Sequence, residues 1–323
     1  MRSRSLWSLT LLCCLAVPVA AIAQGEYPAR PVRILVTLSA GSQVDILARV
    51  AAQKLSESLG QPFLVENRTG AGGSIASAAV ATAAADGYTL LMVANGHAIN
   101  PWIYEKLPYD TLKDFAGVSL VATVPSVLVV PPALGAKNVL ELVEMARARP
   151  GQLNYASPGT GSAGHLAAEQ FKLMAKVRAE HVPYKGTPEA LTDTLTGRAQ
   201  FFFAPLGAAL PAIKDGKLVA LAVTTRERSA ALPAVPTLDE AGVPGYRFEF
   251  WYALFAPRGT PRAVLDLLAA EIAKALTKPD VKAKLAAQGA ASAPLPTAQL
   301  DAFVREEVEK LGQLVKASGA KAM

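Results

Sequence analysis

Ser157, Thr160, Ser162 and His165 lie together in one stretch, Asn154 to His165, that also carries Gly159, Gly161 and Gly164. A short apolar run (Leu153, Tyr155, Ala156) enters it, and an amphipathic run with Leu166, Ala167, Phe171 and Leu173 leaves it. The stretch therefore reads as strand, loop and helix start. Glycines let a guest approach the backbone, and the first-turn N–H groups of a helix carry roughly half a positive charge with no partner inside the helix. Such a loop is an anion site. The plainer alternative is a helix cap at Ser162 beside a tight glycine turn.

Catalysis is the first chemistry to weigh. Thr160-Gly161-Ser162-Ala163-Gly164 is patterned like a nucleophile elbow, with Thr160 where the first glycine belongs. A hydrolase of that kind needs an acid and then a histidine further along, but His165 and His181 follow too closely and no histidine comes after His181. The expectation is no enzyme. None of His97, His165 and His181 has a metal partner at helical or turn spacing, so no metal is expected. Gly70-Ala71-Gly72-Gly73-Ser74-Ile75 imitates a dinucleotide fingerprint, yet Ile75 stands where close packing asks for Gly or Ala. A glycine turn before an alanine-rich helix is the simpler reading, and no cofactor is expected.

Binding without chemistry remains. Ser39-Ala40-Gly41-Ser42-Gln43-Val44 is a second glycine-bearing loop. It follows the apolar strand Val32 to Leu38 and precedes a helix in which Leu47, Ala51, Leu55 and Leu59 recur every four residues. Ligands of open α/β sheets sit beyond the carboxyl ends of strands. If the two halves of the chain face each other, the two loops form opposing jaws around an acid.

The elements that would hold these jaws alternate. Strands at 63–65, 89–93, 153–156, 180–183, 200–204 and 218–224 are interleaved with helices at 74–85, 139–149, 187–196 and 206–214, which indicates an α/β architecture with largely parallel sheets. After Asn95 to Pro101 the chain is expected to become extended. Two strands, Val118 to Val124 and Val127 to Val130, are separated by Pro125-Ser126 and are suited to leaving one domain for another. The strand 218–224 is the candidate return, followed by a strand Phe248 to Ala256 and bracing helices at 261–276 and 297–317.

Composition agrees with an exported binder. Arg2 and Arg4 precede the apolar run Leu6 to Val19 and the small-residue site Ala21-Ile22-Ala23, the three parts of a secretory signal, residues 1–23, cleaved before Gln24. Both cysteines, Cys13 and Cys14, fall in that segment. Losing Arg2 and Arg4 takes the formal charge from +6 to +4, mildly basic and without the Lys/Arg tracts of a nucleic-acid binder. No later run approaches the ~18 apolar residues of a membrane span. The 51% hydrophobic content supports ample burial, and the length suggests two domains.

Tyr27 to Arg33, Asp45-Ile46-Leu47-Ala48-Arg49, Val65 to Gly73, Asp86 to Leu91, Ile99-Asn100-Pro101, Leu107 to Asp110, Leu153 to Ser157, His181 to Gly186 and Leu218 to Val223 occur in order and at family spacing. On these segments the chain resembles the Bug-type extracytoplasmic solute receptors of tripartite tricarboxylate transporters. The resemblance implies a two-lobed periplasmic binding protein, type II-like, each lobe a mainly parallel sheet flanked by helices. Lobe 1 would take residues 24–124, lobe 2 residues 125–222, and residues 223–323 would return to lobe 1. It implies a monomeric periplasmic receptor that hands a small carboxylate to a membrane permease. A sensor signalling to a histidine kinase is the alternative.

Carried over by position, Leu38, Ser39, Ala40, Gly41 and Ser42 form the first jaw, and Ser157, Thr160, Gly161 and Ser162 form the second. Thr187, Ala204 and His97 would complete the pocket, Ser162 acting as cap and hydroxyl donor. The alternative for His97 is a ring satisfied by backbone groups. The chain departs from the resemblance in three places. Val44 replaces a hydroxyl residue. Ala204 replaces an acid able to pair with an ammonium, which argues for a non-amino acid as ligand. Phe201, Phe202 and Phe203 replace smaller residues and would form either core or an aromatic wall.

Overall fold

The computed structural model describes residues 27–321; the expected signal segment 1–23 lies outside the described residues. The elements run β1 Val32–Val36, α1 Gln43–Leu59, β2 Phe63–Asn67, α2 Ser74–Ala81, β3 Thr89–Ala94, α3 Gly96–Ile103, β4 Phe115–Val130, α4 Val139–Ala148, β5 Asn154–Ser157 and α5 Ala163–Ala175. They continue with β6 Glu180–Pro183, α6 Thr187–Leu195, β7 Phe201–Pro205, α7 Leu206–Lys214, β8 Val219–Val223, β9 Glu249–Pro257, α8 Arg262–Thr277, α9 Pro279–Ala287, β10 Ala291–Ser292 and α10 Thr297–Ser318.

The strand order is β2-β1-β3-β9-β4-β7-β5-β6, with β8 and β10 pairing β4 off that path. β1, β2 and β3 are parallel to one another, as are β5, β6 and β7. At the centre the pairing is antiparallel, because β4 and β9 run between the lobes in opposite senses. Each lobe thus keeps a parallel set of three strands flanked by helices, and the antiparallel ladders all involve β4 or β9.

β4 is one continuous strand where two were expected. Residues up to Pro125 pair with β9, and from Ser126 onward the strand pairs with β7 and β8. Pro125 lacks an N–H and sits where the ladder changes partner, so no donor is missed. The return also differs from expectation. β8 stays on the second half of β4, and residues 224–248 remain beside it: Tyr246 Oη donates to the Ala167 carbonyl and its ring stacks on Phe203. The chain crosses back through β9, after Phe248 N donates to the Thr224 carbonyl.

α3 was not expected in the stretch Asn95 to Pro101, and Pro101 lies inside it. The His97 carbonyl that Pro101 cannot bond is taken instead by the Thr111 hydroxyl at 3.1 Å, and the helix survives. α1 ends on Gly60, whose φ of 70° suits a left-handed cap and whose N–H returns to Ser56. In β7 the alternation puts Phe201 and Phe203 in the main core and Phe202 and Ala204 in a second core on the opposite face. All three phenylalanines are core.

Candidate functional site

Four helices begin around one cavity. Its lining includes Gln43 and Val44 of α1, Gly96 and His97 of α3, Ser162 to Gly164 at the head of α5, and Thr187 of α6. Val93 and Ala94 of β3, Pro205 of β7, and Phe250 and Tyr252 of β9 supply an apolar body. The water-accessible core is about 30 Å³, room for about two waters. Among the described residues no Asp, Glu, Lys or Arg lines it.

The backbone donors here are what matter. Ser42 N bonds Ser39 O, Ser162 N bonds Gly159 O, and Ala98 N and Ile99 N both bond Asn95 O. The amides of Gln43, Val44, Gly96, His97, Ala163 and Gly164 have no acceptor among the described residues, and all six residues line the cavity. Unpaired buried N–H groups are rare, and three helix starts converge with their positive ends on the same space.

The first jaw is braced by Asp45, the acid of the Asp45 to Arg49 segment. It accepts from Gly41 N at 2.9 Å, Asn67 Nδ2 at 2.9 Å and Arg49 at 2.9 Å. Burial pushes its carboxyl up, but these bonds outweigh burial and hold it below the usual carboxylate range.

The second jaw rests on a buried stack. His165 lies 4.1 Å from His181, ring centre to ring centre, and His181 stacks on Tyr155 at 4.9 Å. His181 Nε2 pairs with Ser157 Oγ at 2.6 Å, and Gly161 N donates to His165 Nδ1 at 3.2 Å.

Of the expected site residues, Leu38, His97, Ser162 and Thr187 line the cavity. The others do not. Ala40 and Gly41 are exposed on the outer side of the loop. Ser39 and Ser42 instead tie the lobes together: Ser39 N donates to Lys185 O at 3.2 Å, Ser39 Oγ to Glu189 at 2.9 Å, and Thr187 N to Ser42 Oγ at 3.1 Å. Ser157 is held inside its own loop by Gly159 and His181, and the Gly161 amide is already taken by His165. The Thr160 carbonyl accepts from Tyr104 Oη at 3.0 Å, another bond between lobes. Ala204 points into the second core, and its neighbour Pro205 reaches the cavity.

Ser162 caps α5 by accepting from His165 N at 3.3 Å, the cap expected of it. His97 contributes its amide, while its ring packs against Phe115 and Phe255, each 4.8 Å away between ring centres. Neither ring nitrogen has a partner, so the ring is not satisfied by backbone.

The jaws do not meet each other head-on. The first faces Lys185 to Glu189, and the second faces the glycine turn at Gly72. A Cβ on Gly72, whose φ is 59°, would collide with the Thr160 carbonyl oxygen. An open groove of about 440 Å³, which Thr160 also lines, adjoins the cavity at Leu38, Gly72 and Pro158. The sequence offered signals for what was missed: glycine at the start of α3, and Phe250 and Tyr252 two apart on one face of β9.

Two lobes, a shared pair of strands and a cavity of helix starts define a solute-binding protein. Residues 47–320 match the model of the tripartite tricarboxylate transporter family receptor, TctC, and the chain belongs to that family. It is 38% identical to protein BugT of Bordetella pertussis over 309 residues, 95% of this chain and 94% of that one. A solved R. palustris protein with adipate is 37% identical, TM-score 0.89, covering 92% of this chain and all of its own. MatC from Rhodopseudomonas palustris with bound malate is 33% identical, TM-score 0.85, over 90% of this chain and 100% of that one. Among the described residues no helix is long and apolar enough to cross a membrane, and no group of His, Cys, Asp and Glu could hold a metal.

Two outcomes follow from this geometry. Gly72→Ala should keep the lobes apart, giving a larger radius of gyration by X-ray scattering and affinity lower by about tenfold or more; unchanged closure and affinity would contradict it. Burial pushes His97 and His181 down to about 3 and His165 to about 4, so the native rings stay neutral. The unfolded chain binds protons below about pH 6.5, so this stability is complete above that pH and is lost on acidification towards 4. His97→Phe should reduce the slope of stability against pH over that window by about one proton, read from urea titrations at several pH values. An unchanged slope would count against the neutral ring.

Proposed function

We infer that this chain is a periplasmic receptor that closes two lobes, hinged at Pro125 and Phe248, around a small organic acid and delivers it to a tripartite tricarboxylate permease. The secretory pattern of residues 1–23 supports the compartment, and a monomer suffices because one chain supplies every wall of the cavity. The observation that carries the ligand class is the set of six unpaired amides at three helix starts, with no charged side chain beside them.

Magnitudes favour an enclosed anion. Micromolar affinity needs roughly −8 kcal/mol. One helix start gives about 0.3–2 kcal/mol, so dipoles alone fall short. Charge-assisted bonds at about 1.5–3 kcal/mol each make up the difference once water is shut out. Phe250, Tyr252 and Val93 receive the apolar body of the acid. An ammonium finds no carboxylate in the cavity, which supports a non-amino ligand.

Calorimetry with mono-, di- and aromatic carboxylates should find saturable binding in at least one class. Tight binding of aspartate or glutamate with no response to simple acids would refute the reading.

A further inference from the structure

The donors and acceptors of the cavity do not balance, and Gln43 is the reason. The residue is 1% exposed, and neither Nε2 nor Oε1 has a partner among the described residues. Exchanging the two atoms changes nothing, since both are unpaired. Asn100 leaves a second acceptor bare: its Nδ2 donates to Gly72 O at 3.0 Å, which fixes Oδ1 as the unpaired atom.

A carboxylate brings lone pairs and no proton. It can satisfy the helix-start amides and Gln43 Nε2, but it leaves Gln43 Oε1 and Asn100 Oδ1 unmatched. An ammonium would bring protons together with a positive charge, into a space where three helix starts already point positive and no acidic side chain answers. A hydroxyl brings a proton and no charge.

We propose that Gln43 is a specificity-determining residue of this receptor and that its ligand is a hydroxy carboxylate. The hydroxyl donates to Gln43 Oε1 while the carboxylate takes the helix-start amides. The inference rests on the carboxylate reading above and narrows it. Gln43 is the first residue of α1, so one turn of helix supplies both the amides and the side chain. That arrangement suits a hydroxyl close to the carboxylate. A site built to bond a hydroxyl rejects the analogue lacking it, because its own buried group is then left unpaired.

The test is calorimetry on the mature chain with matched pairs, lactate against propionate and malate against succinate, with aspartate alongside. The hydroxy member of at least one pair should bind about tenfold tighter or more. Gln43→Leu exchanges a buried unpaired amide for an apolar group of similar size; it should bring that ratio near one without lowering Tm. A ratio near one in the natural chain, a ratio that survives in Gln43→Leu, or aspartate as the tightest ligand would overturn the proposal. Binding of acids with no hydroxyl preference defeats this inference alone. Binding of none of them defeats the carboxylate reading and this inference with it.

Discussion

Six backbone N–H groups with no acceptor among the described residues are the constraint on which the rest of the molecule depends. Buried donors of that kind are costly to leave unmade, about 1–3 kcal/mol each, so the closed form needs a guest rich in lone pairs. An anion satisfies them without a cationic side chain. The positive ends of α1, α3 and α5 meet on it, and the absence of lysine or arginine from the lining spares the site a buried charge when it is empty.

Closure is built from backbone close approach more than from side chains. Gly72 meets Thr160, Gly96 meets the Gly161 carbonyl, and Gly186 meets Ser39 and Ser42. Bonds from Ser39 to Lys185 and Glu189, from Thr187 to Ser42, and from Tyr104 to Thr160 then join the lobes. These contacts are few and small, as a reversible clamp requires: a ligand that binds the closed state better than the open one shifts the population by that difference. At the crossing between the lobes Thr224 N bonds the Ser126 carbonyl and Phe248 N the Thr224 carbonyl, so β4 and the segment entering β9 are tied together through Thr224.

Much of this architecture was legible in the residues. Apolar runs and helical periodicity place the strands and helices near their observed bounds, and Ser162 as a cap follows from its position before an amphipathic run. The misreadings have physical causes. α3 contains Pro101, and the hydrogen bond its ring costs is replaced by Thr111, far enough along the chain to leave no local trace. Pro125 split β4 on paper because a change of sheet partner has no sequence signature. For the site, the sequence points to the right helix starts but not to which loop amides are already engaged. The Gly161 amide is bonded by His165, and Ser39 and Ser42 serve the lobe junction; both facts depend on tertiary placement. Gln43 escaped notice because a glutamine at a helix start is ordinary until its burial is known.

The most direct measurement is a nuclear magnetic resonance titration of the mature chain with a carboxylate that binds, following each backbone amide proton. The amides of Gln43, Val44, Gly96, His97, Ala163 and Gly164 should shift downfield together as they gain an acceptor, while the Gly161 amide, already bonded to His165, stays nearly in place. Saturable binding with those six resonances unmoved, and the shifts confined to side-chain or outer-loop positions, would contradict an anion held by helix starts.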